Sequence, residues 1–195
     1  MRRRKGLLVK EHASHFQSRG KQIVASKSQP DFEEWALNFD KFYKSASRAE
    51  SEFLFTHHMV KGARRWLNLV DELLRDDDGQ SRARWQTLAA IIFSEGPIAT
   101  LDLSYRMAVQ WPTLIRTLNE LEKDGMIVRK VDPADRRSRL ISATEQGITL
   151  FNQAQAILDP KREEVLSEFT KEELELGAKV LNRFVVSLEK SKSAI

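Results

Sequence analysis

Between Trp111 and Leu140 the spacing of apolar residues changes period once, and that change marks the centre of the chain. Leu114, Leu118 and Leu121 recur at three- and four-residue steps with Ile115 beside them, which predicts a helix with one apolar face. The opposite face carries Thr113, Arg116, Asn119 and Glu120. Pro112 suits the first turn, where its missing N–H costs nothing, and Gly125 suits the left-handed position that ends a helix. The pattern then becomes a β-prone run of Met126, Ile127, Val128 and Val131, a turn at Pro133 and Asp135, and a second run at Leu140 and Ile141. A helix followed at once by a two-stranded hairpin is expected. Arg136, Arg137 and Arg139 fall at the hairpin tip, with only Asp132 and Asp135 as nearby acids. An exposed basic tip next to a polar helix face suits a duplex better than a core.

The same reading predicts helices on both sides. Asp31 follows Pro30 as an N-cap, and Phe32, Trp35, Ala36, Phe39, Phe42 and Tyr43 then recur at helical spacing, a strongly amphipathic element. Residues 52–76 form the next expected helix, with Met59, Ala63, Trp66, Leu67, Val70, Leu73 and Leu74 on one side, Lys61, Arg64, Arg65, Asp71 and Glu72 on the other, and Asp-Asp-Asp-Gly closing it. Ser81 caps a helix whose Trp85, Leu88, Ala89, Ile92 and Phe93 should point inward before Gly96-Pro97 ends it. Thr100 is expected to cap a short helix through Met107, and Val109-Gln110 to turn the chain into Trp111, completing a helix-turn-helix. Beyond the hairpin, Thr144 caps a helix with Ile148, Phe151, Gln155 and Leu158 on one face. Pro160 either kinks that helix or, with Asp159 as cap, begins a new one. Thr170 and Glu173 form a capping box, which starts a last helix with an apolar stripe of Leu174, Leu181, Phe184, Val185 and Leu188.

The order helix, helix, Asp-Gly turn and then DPADRRSRLISATEQG resembles the winged helix-turn-helix of the MarR (multiple antibiotic resistance regulator) family, over about residues 53–190. That resemblance implies a mainly α fold with a small β wing, and N- and C-terminal helices that join two copies across a two-fold axis. It divides the chain into a basic tail (1–30), N-terminal helices for dimerisation or a pocket (31–78), a DNA-binding winged helix (79–143) and C-terminal dimerisation helices (144–195). It implies a homodimeric repressor on a pseudo-palindromic operator, its recognition helices in successive major grooves and its wings reaching the minor grooves. Gln110, Trp111, Pro112, Thr113 and Arg116 would then lie at the groove-facing start of the recognition helix, with Thr100 near the duplex. The family often has a Ser-Arg-Pro-Thr start where this chain has Gln110, Trp111, Pro112 and Thr113, a weaker cap and a bulky indole. In the wing, Asp135 would orient Arg137 into a narrow minor groove, with Arg136 and Arg139 nearer the phosphates.

The family also implies a small aromatic acid as effector, held between the dimerisation helices and the DNA-reading module. His57, His58, Arg65, Trp66, Arg82 and Trp85 are the residues offered there, with Trp35 and Phe39 able to close the site. A vanillate-like phenolic acid would find an arginine for its carboxylate, an indole for its ring and an imidazole for its hydroxyl. Each tryptophan taken singly is equally an ordinary core anchor.

Composition narrows the alternatives. The chain has 195 residues, 41% hydrophobic, and no cysteine, so it has neither a disulfide framework nor a thiol to sense oxidants. No apolar run approaches a membrane span, and the basic start MRRRKGLLVK is too brief in apolar residues for a signal peptide, so a cytoplasmic address is expected. Residues 1–27 carry +7 of a total of +4, which leaves the remainder at −3. The basicity is a property of the tail, read either as a solvated segment or as an arm for phosphates. His12 and His15 sit three apart without carboxylates or thiols close by, a poor basis for a metal site. Neither a Gly-rich phosphate loop nor a zinc or nucleophile motif is present, so no enzyme and no cofactor is expected. The alternative to DNA reading is a winged-helix module whose hairpin serves a protein partner.

Overall fold

The structure, a computed structural model, describes residues 36–75 and 81–192. The chain divides into two compact units, up to Leu54 and from Phe55 onward. The predictions for Asp31, Phe32, Trp35, the basic tail with His12 and His15, and the 76–79 closure lie outside the described residues.

In the first unit the aromatic segment is not the long helix its spacing predicts. Its described part forms only a 3-10 turn, Phe39–Lys41, held by Phe39 N–H to Ala36 O (2.8 Å) and Phe42 N–H to Phe39 O (3.0 Å). Phe39 stacks on Tyr43 at 4.8 Å, and both lie against Phe53 at 5.3 and 4.9 Å. The rings that suggested a helical stripe are gathered round Phe53 instead, and a helix this short has too few hydrogen bonds to persist alone. Ala46 then takes a left-handed conformation (φ 58°), and α1, Arg48–Leu73, starts four residues earlier than predicted. The reason is a cap the pattern reading passed over: Ser47 Oγ accepts from Glu50 N–H (3.2 Å), while Glu50 Oε2 accepts from Ala46 N–H (2.5 Å).

In the second unit α2 (Arg82–Ile92), α3 (Thr100–Met107) and α4 (Trp111–Lys123) pack around one core with a three-stranded antiparallel sheet. Its strands are β1 (Ile98–Ala99), β2 (Ile127–Val131) and β3 (Arg139–Ala143), in the order β1-β3-β2. Leu88, Ile91, Ile98, Leu103, Leu114, Leu118, Leu121, Ile127, Ile141 and Phe151 fill this core. Ser81 caps α2 as expected, accepting from Arg84 N–H at 3.2 Å. The buried stripe of α2 is Arg84, Thr87, Leu88 and Ile91, and Phe93 is 71% exposed, contrary to its expected inward position. Thr100 does not cap α3 either. Ala99, paired with Leu140 in the sheet, is the N-cap, and Thr100 is already the first helical residue.

Two further helices complete the unit. α5 (Glu145–Leu166) runs unbroken through Pro160, which resolves the choice left open by the sequence in favour of one helix. Its buried face is Gly147, Phe151, Ala154 and Leu158, while Ile148 is turned outward. The face is displaced because Gly147, with no side chain, is what the wing base can tolerate: a Cβ there would stand 2.1 Å from Met126 O. Val70 and Leu74 of the α1 end meet Ala154 and Leu158 in a second buried cluster, with Trp66 and Trp85 packed at its edge. On α1, Ala63 is exposed rather than inward. α6, Lys171–Lys192, begins at the predicted box: Glu173 N–H donates to Thr170 Oγ1 (3.2 Å) and Thr170 N–H to Glu173 Oε2 (2.8 Å). Among the described residues no helix is long and apolar enough to cross a membrane.

Candidate nucleic-acid interface

α4 carries a clean division of faces. Leu114, Thr117, Leu118 and Leu121 are buried, and the one polar member is satisfied, since Thr117 Oγ1 donates to Thr113 O at 3.1 Å. Trp111, Pro112, Thr113, Arg116, Asn119 and Glu120 are exposed. Gln110 is the N-cap in extended backbone without a side-chain capping bond, and Trp111, 46% exposed, is the first helical residue. Arg116 Nε lies 3.9 Å from Glu120 Oε1 with both side chains largely in solvent, a pair held so loosely that either member is open to another partner.

The far end of α4 is built to launch the wing. Gly125 sits at φ 74°, with its N–H donating to Glu122 O (3.0 Å) and Met126 N–H donating to Leu121 O (2.8 Å). That pair of bonds is a Schellman ending, and it satisfies carbonyls that the helix leaves open. Thr144 then joins three elements: its hydroxyl donates to Gly125 O (2.7 Å) and accepts from Gly147 N–H (3.1 Å). Arg84, almost fully buried, anchors the same end through Nη1 to Asp124 Oδ2 at 2.7 Å.

At the wing tip the acids are spent on the backbone. Asp132 Oδ1 accepts from Ala134 N–H (2.8 Å), and Asp135 Oδ1 accepts from Arg137 N–H (3.0 Å). The bond expected between Asp135 and the Arg137 guanidinium is long, 3.5 Å to Nε, so Asp135 shapes the turn more than it aims the side chain. Arg136, Arg137 and Arg139 are all exposed. Turn formation therefore leaves three guanidinium groups projecting beside a helix whose own exposed charges are mixed.

Arg129, on β2, was not singled out by the pattern of the chain. Its Nε donates to Glu122 Oε2 at 2.9 Å, Nη2 donates to the same oxygen, and Nη2 also donates to Asn119 Oδ1 at 2.7 Å. Hydrogen bonding from the Arg129 side chain outweighs the opposing effect of burial and, with the charge of Arg129, holds the Glu122 carboxyl below the usual carboxylate range. A basic residue seven positions after an acid across a helix-ending glycine was the available signal, but only the turn geometry makes the two meet.

Residues 81–138 match the model of the MarR family. Over those residues the chain is similar to the winged helix-turn-helix of the MarR family. A likeness of fold to solved structures extends beyond that match. A crystal structure of the transcriptional regulator PA3341 superposes with a TM-score of 0.62 at 29% identity, covering 70% of this chain and 98% of that one. The transcriptional regulator BldR from Sulfolobus solfataricus gives 0.63 at 24% identity, over 70% and 99% of the two chains. A mutant MarR from E. coli complexed with operator DNA gives 0.59 at 19% identity, over 71% and 99%.

The residues offered for an effector are divided by the structure. Trp66 and Trp85 border the same buried cluster, and the Trp85 indole N–H donates to Gln155 Oε1 at 2.9 Å. Arg82 is engaged by Asp71 at 2.9 Å, and Arg65 is exposed. Half-buried His57 and exposed His58 touch edge-on at 5.4 Å. His58 stands eight residues before Trp66, about 12 Å along the axis of the helix they share, and so is remote from that indole. Phe39 belongs to the aromatic group of the first unit, and Trp35 lies outside the described residues. The sequence reading missed Arg162, which lies over the Trp66 ring at 5.9 Å, pairs with Asp159 and helps line an open groove of about 500 Å³ with Gln155, Leu166 and Phe169.

Proposed function

We propose that the protein is a homodimeric, cytoplasmic, sequence-specific DNA-binding repressor that releases its pseudo-palindromic operator when it binds a small aromatic acid. The observation that carries the DNA-binding part is the wing tip: both of its acids are committed to the turn, while Arg136, Arg137 and Arg139 stay exposed beside the open face of α4. Arg116, with Gln110, Trp111, Pro112 and Thr113 about it, enters the major groove, and Thr100 approaches the backbone at the start of α3. Arg137 enters the minor groove, with Arg136 and Arg139 on phosphates and Asp135 holding the turn.

Duplexes selected by the full chain from a random library give the operator. Arg116→Ala then lowers operator affinity by about 1–3 kcal/mol and relaxes the preference at one base pair. Arg137→Ala weakens sites with A·T flanks more than sites with G·C flanks, whereas Arg136→Ala weakens all sequences alike. Unchanged affinity in Arg116→Ala removes that side chain from the interface.

The exposed stripe on α6 supports the homodimer. Leu174, Leu181, Val185 and Leu188 all lie uncovered within one chain, more apolar helix surface than a monomer keeps in water. The effector reading rests on Trp66 and Trp85 at one cluster edge with Arg162 above the first, an arrangement suited to the ring and carboxylate of a vanillate-like acid. Release requires that the acid prefer the DNA-free state; a hundredfold loss of operator affinity corresponds to about 2.7 kcal/mol of coupling. Calorimetry with vanillate-like acids should show binding that weakens when saturating operator is present. Binding that is indifferent to operator contradicts the switch.

A further inference from the structure

We propose that Arg129 is a positioning residue that locks the wing to the recognition helix, so that the major-groove and minor-groove contacts of each subunit are made together. This deepens the DNA-reading function above and rests on it. Arg129 occupies the middle of β2, opposite Ile141, where its backbone is fixed by the sheet. Its side chain is only 20% exposed, so it is not itself available to a phosphate. It spans seven residues back to Glu122 and ten to Asn119, both on α4, and closes the angle between hairpin and helix with three donated hydrogen bonds.

Apart from this clamp, the hairpin is tied to α4 at its base, through the Gly125–Met126 turn, the Thr144 bond to Gly125 O and the packing beneath the sheet. A hairpin free to swing presents Arg136, Arg137 and Arg139 in many directions, and the ordering cost is then met when DNA binds. With the clamp in place, docking of α4 carries the wing to the minor groove as an intramolecular event. The planar fork matters, because two nitrogens converge on Glu122 Oε2 while one of them also reaches Asn119. A lysine offers one nitrogen to the same space. The clamp also neutralises Glu122, a carboxylate that would otherwise face the approaching phosphates from the exposed side of α4.

The test is a paired footprint of the full-length protein on its selected operator. Dimethyl sulfate reports protection of guanine N7 in the major groove, and hydroxyl radicals report protection of the minor groove under the wing. Arg129→Ala should keep the major-groove protection, lose the minor-groove protection, and bind about tenfold to a hundredfold more weakly. Arg129→Lys should fall on the side of alanine, and Glu122→Gln should give the same split while every arginine is retained. The two milder variants carry the test if alanine compromises folding. Both protections surviving in all three variants overturns the proposal, as does parallel loss of both in variants that melt like the wild type. A wild type that protects neither groove of any selected duplex overturns the DNA-reading function itself, and the clamp with it.

Discussion

Gly147 shows how one residue can decide where a face of a helix lies. A methyl group there would meet the Met126 carbonyl at 2.1 Å, and that carbonyl cannot retreat because it accepts from Thr144 N–H at 3.0 Å. The Thr-x-x-Gly start of α5 is therefore a physical unit, in which the threonine caps the helix and the glycine admits the wing base. Gly147→Ala should destabilise the protein by about 1–3 kcal/mol through overpacking against backbone, read as a lowered urea midpoint at unchanged slope. A midpoint equal to that of the wild type would mean that the wing base and α5 separate without cost. The cap at Thr144 and the left-handed Gly125 were legible in the sequence because each depends on neighbours within a few positions. The contact at Gly147 was not, because Met126 reaches it only through the Schellman ending of α4.

Elements with strong local signals stood out in the same way. The helix α4 and the capping box of α6 are where the pattern put them. Glu173 is held below the ordinary glutamate value near 4.5, first by the Thr170 N–H and then by the Thr170 hydroxyl. A lowered folded value means that the box contributes stability above the unfolded value and loses it as pH falls through the folded one. The difference in melting temperature between wild type and Glu173→Gln should therefore be present at neutral pH and vanish in acid; a constant difference at every pH contradicts this assignment. Elements that depend on distant partners were misread or invisible. β1 is two residues long and carries no periodicity, yet by pairing with β3 it takes Ala99 as the cap of α3. Phe93 and Ile148 satisfied a helical spacing, but the face that packs is set by Arg84, Thr87 and Gly147, residues no hydrophobicity count selects. The aromatic run at 36–43 followed the same spacing and resolved into a cluster about Phe53.

For the molecule as a whole, the fold was legible from the order of its elements and the exposed basic tip of the candidate interface from its arginines, whereas the Arg129 contacts and the setting of Trp66 under Arg162 required the assembled chain. The α6 stripe bears on assembly. Leu181→Glu with Val185→Glu should leave the winged helix folded but shift the mass measured by light scattering from dimer to monomer; an unchanged dimer would place the interface elsewhere. Monomers of this kind should bind one half-site and lose the avidity of two. The central claim, that this chain reads DNA sequence through a recognition helix and a basic wing, is tested most directly by titrating the selected operator and a shuffled duplex across a salt series. The account predicts operator binding at least about a thousandfold tighter than shuffled, falling with log salt, and a slope shallower by about one unit per subunit when Arg136 is removed. Equal affinity for the two duplexes, or binding indifferent to salt, would contradict it.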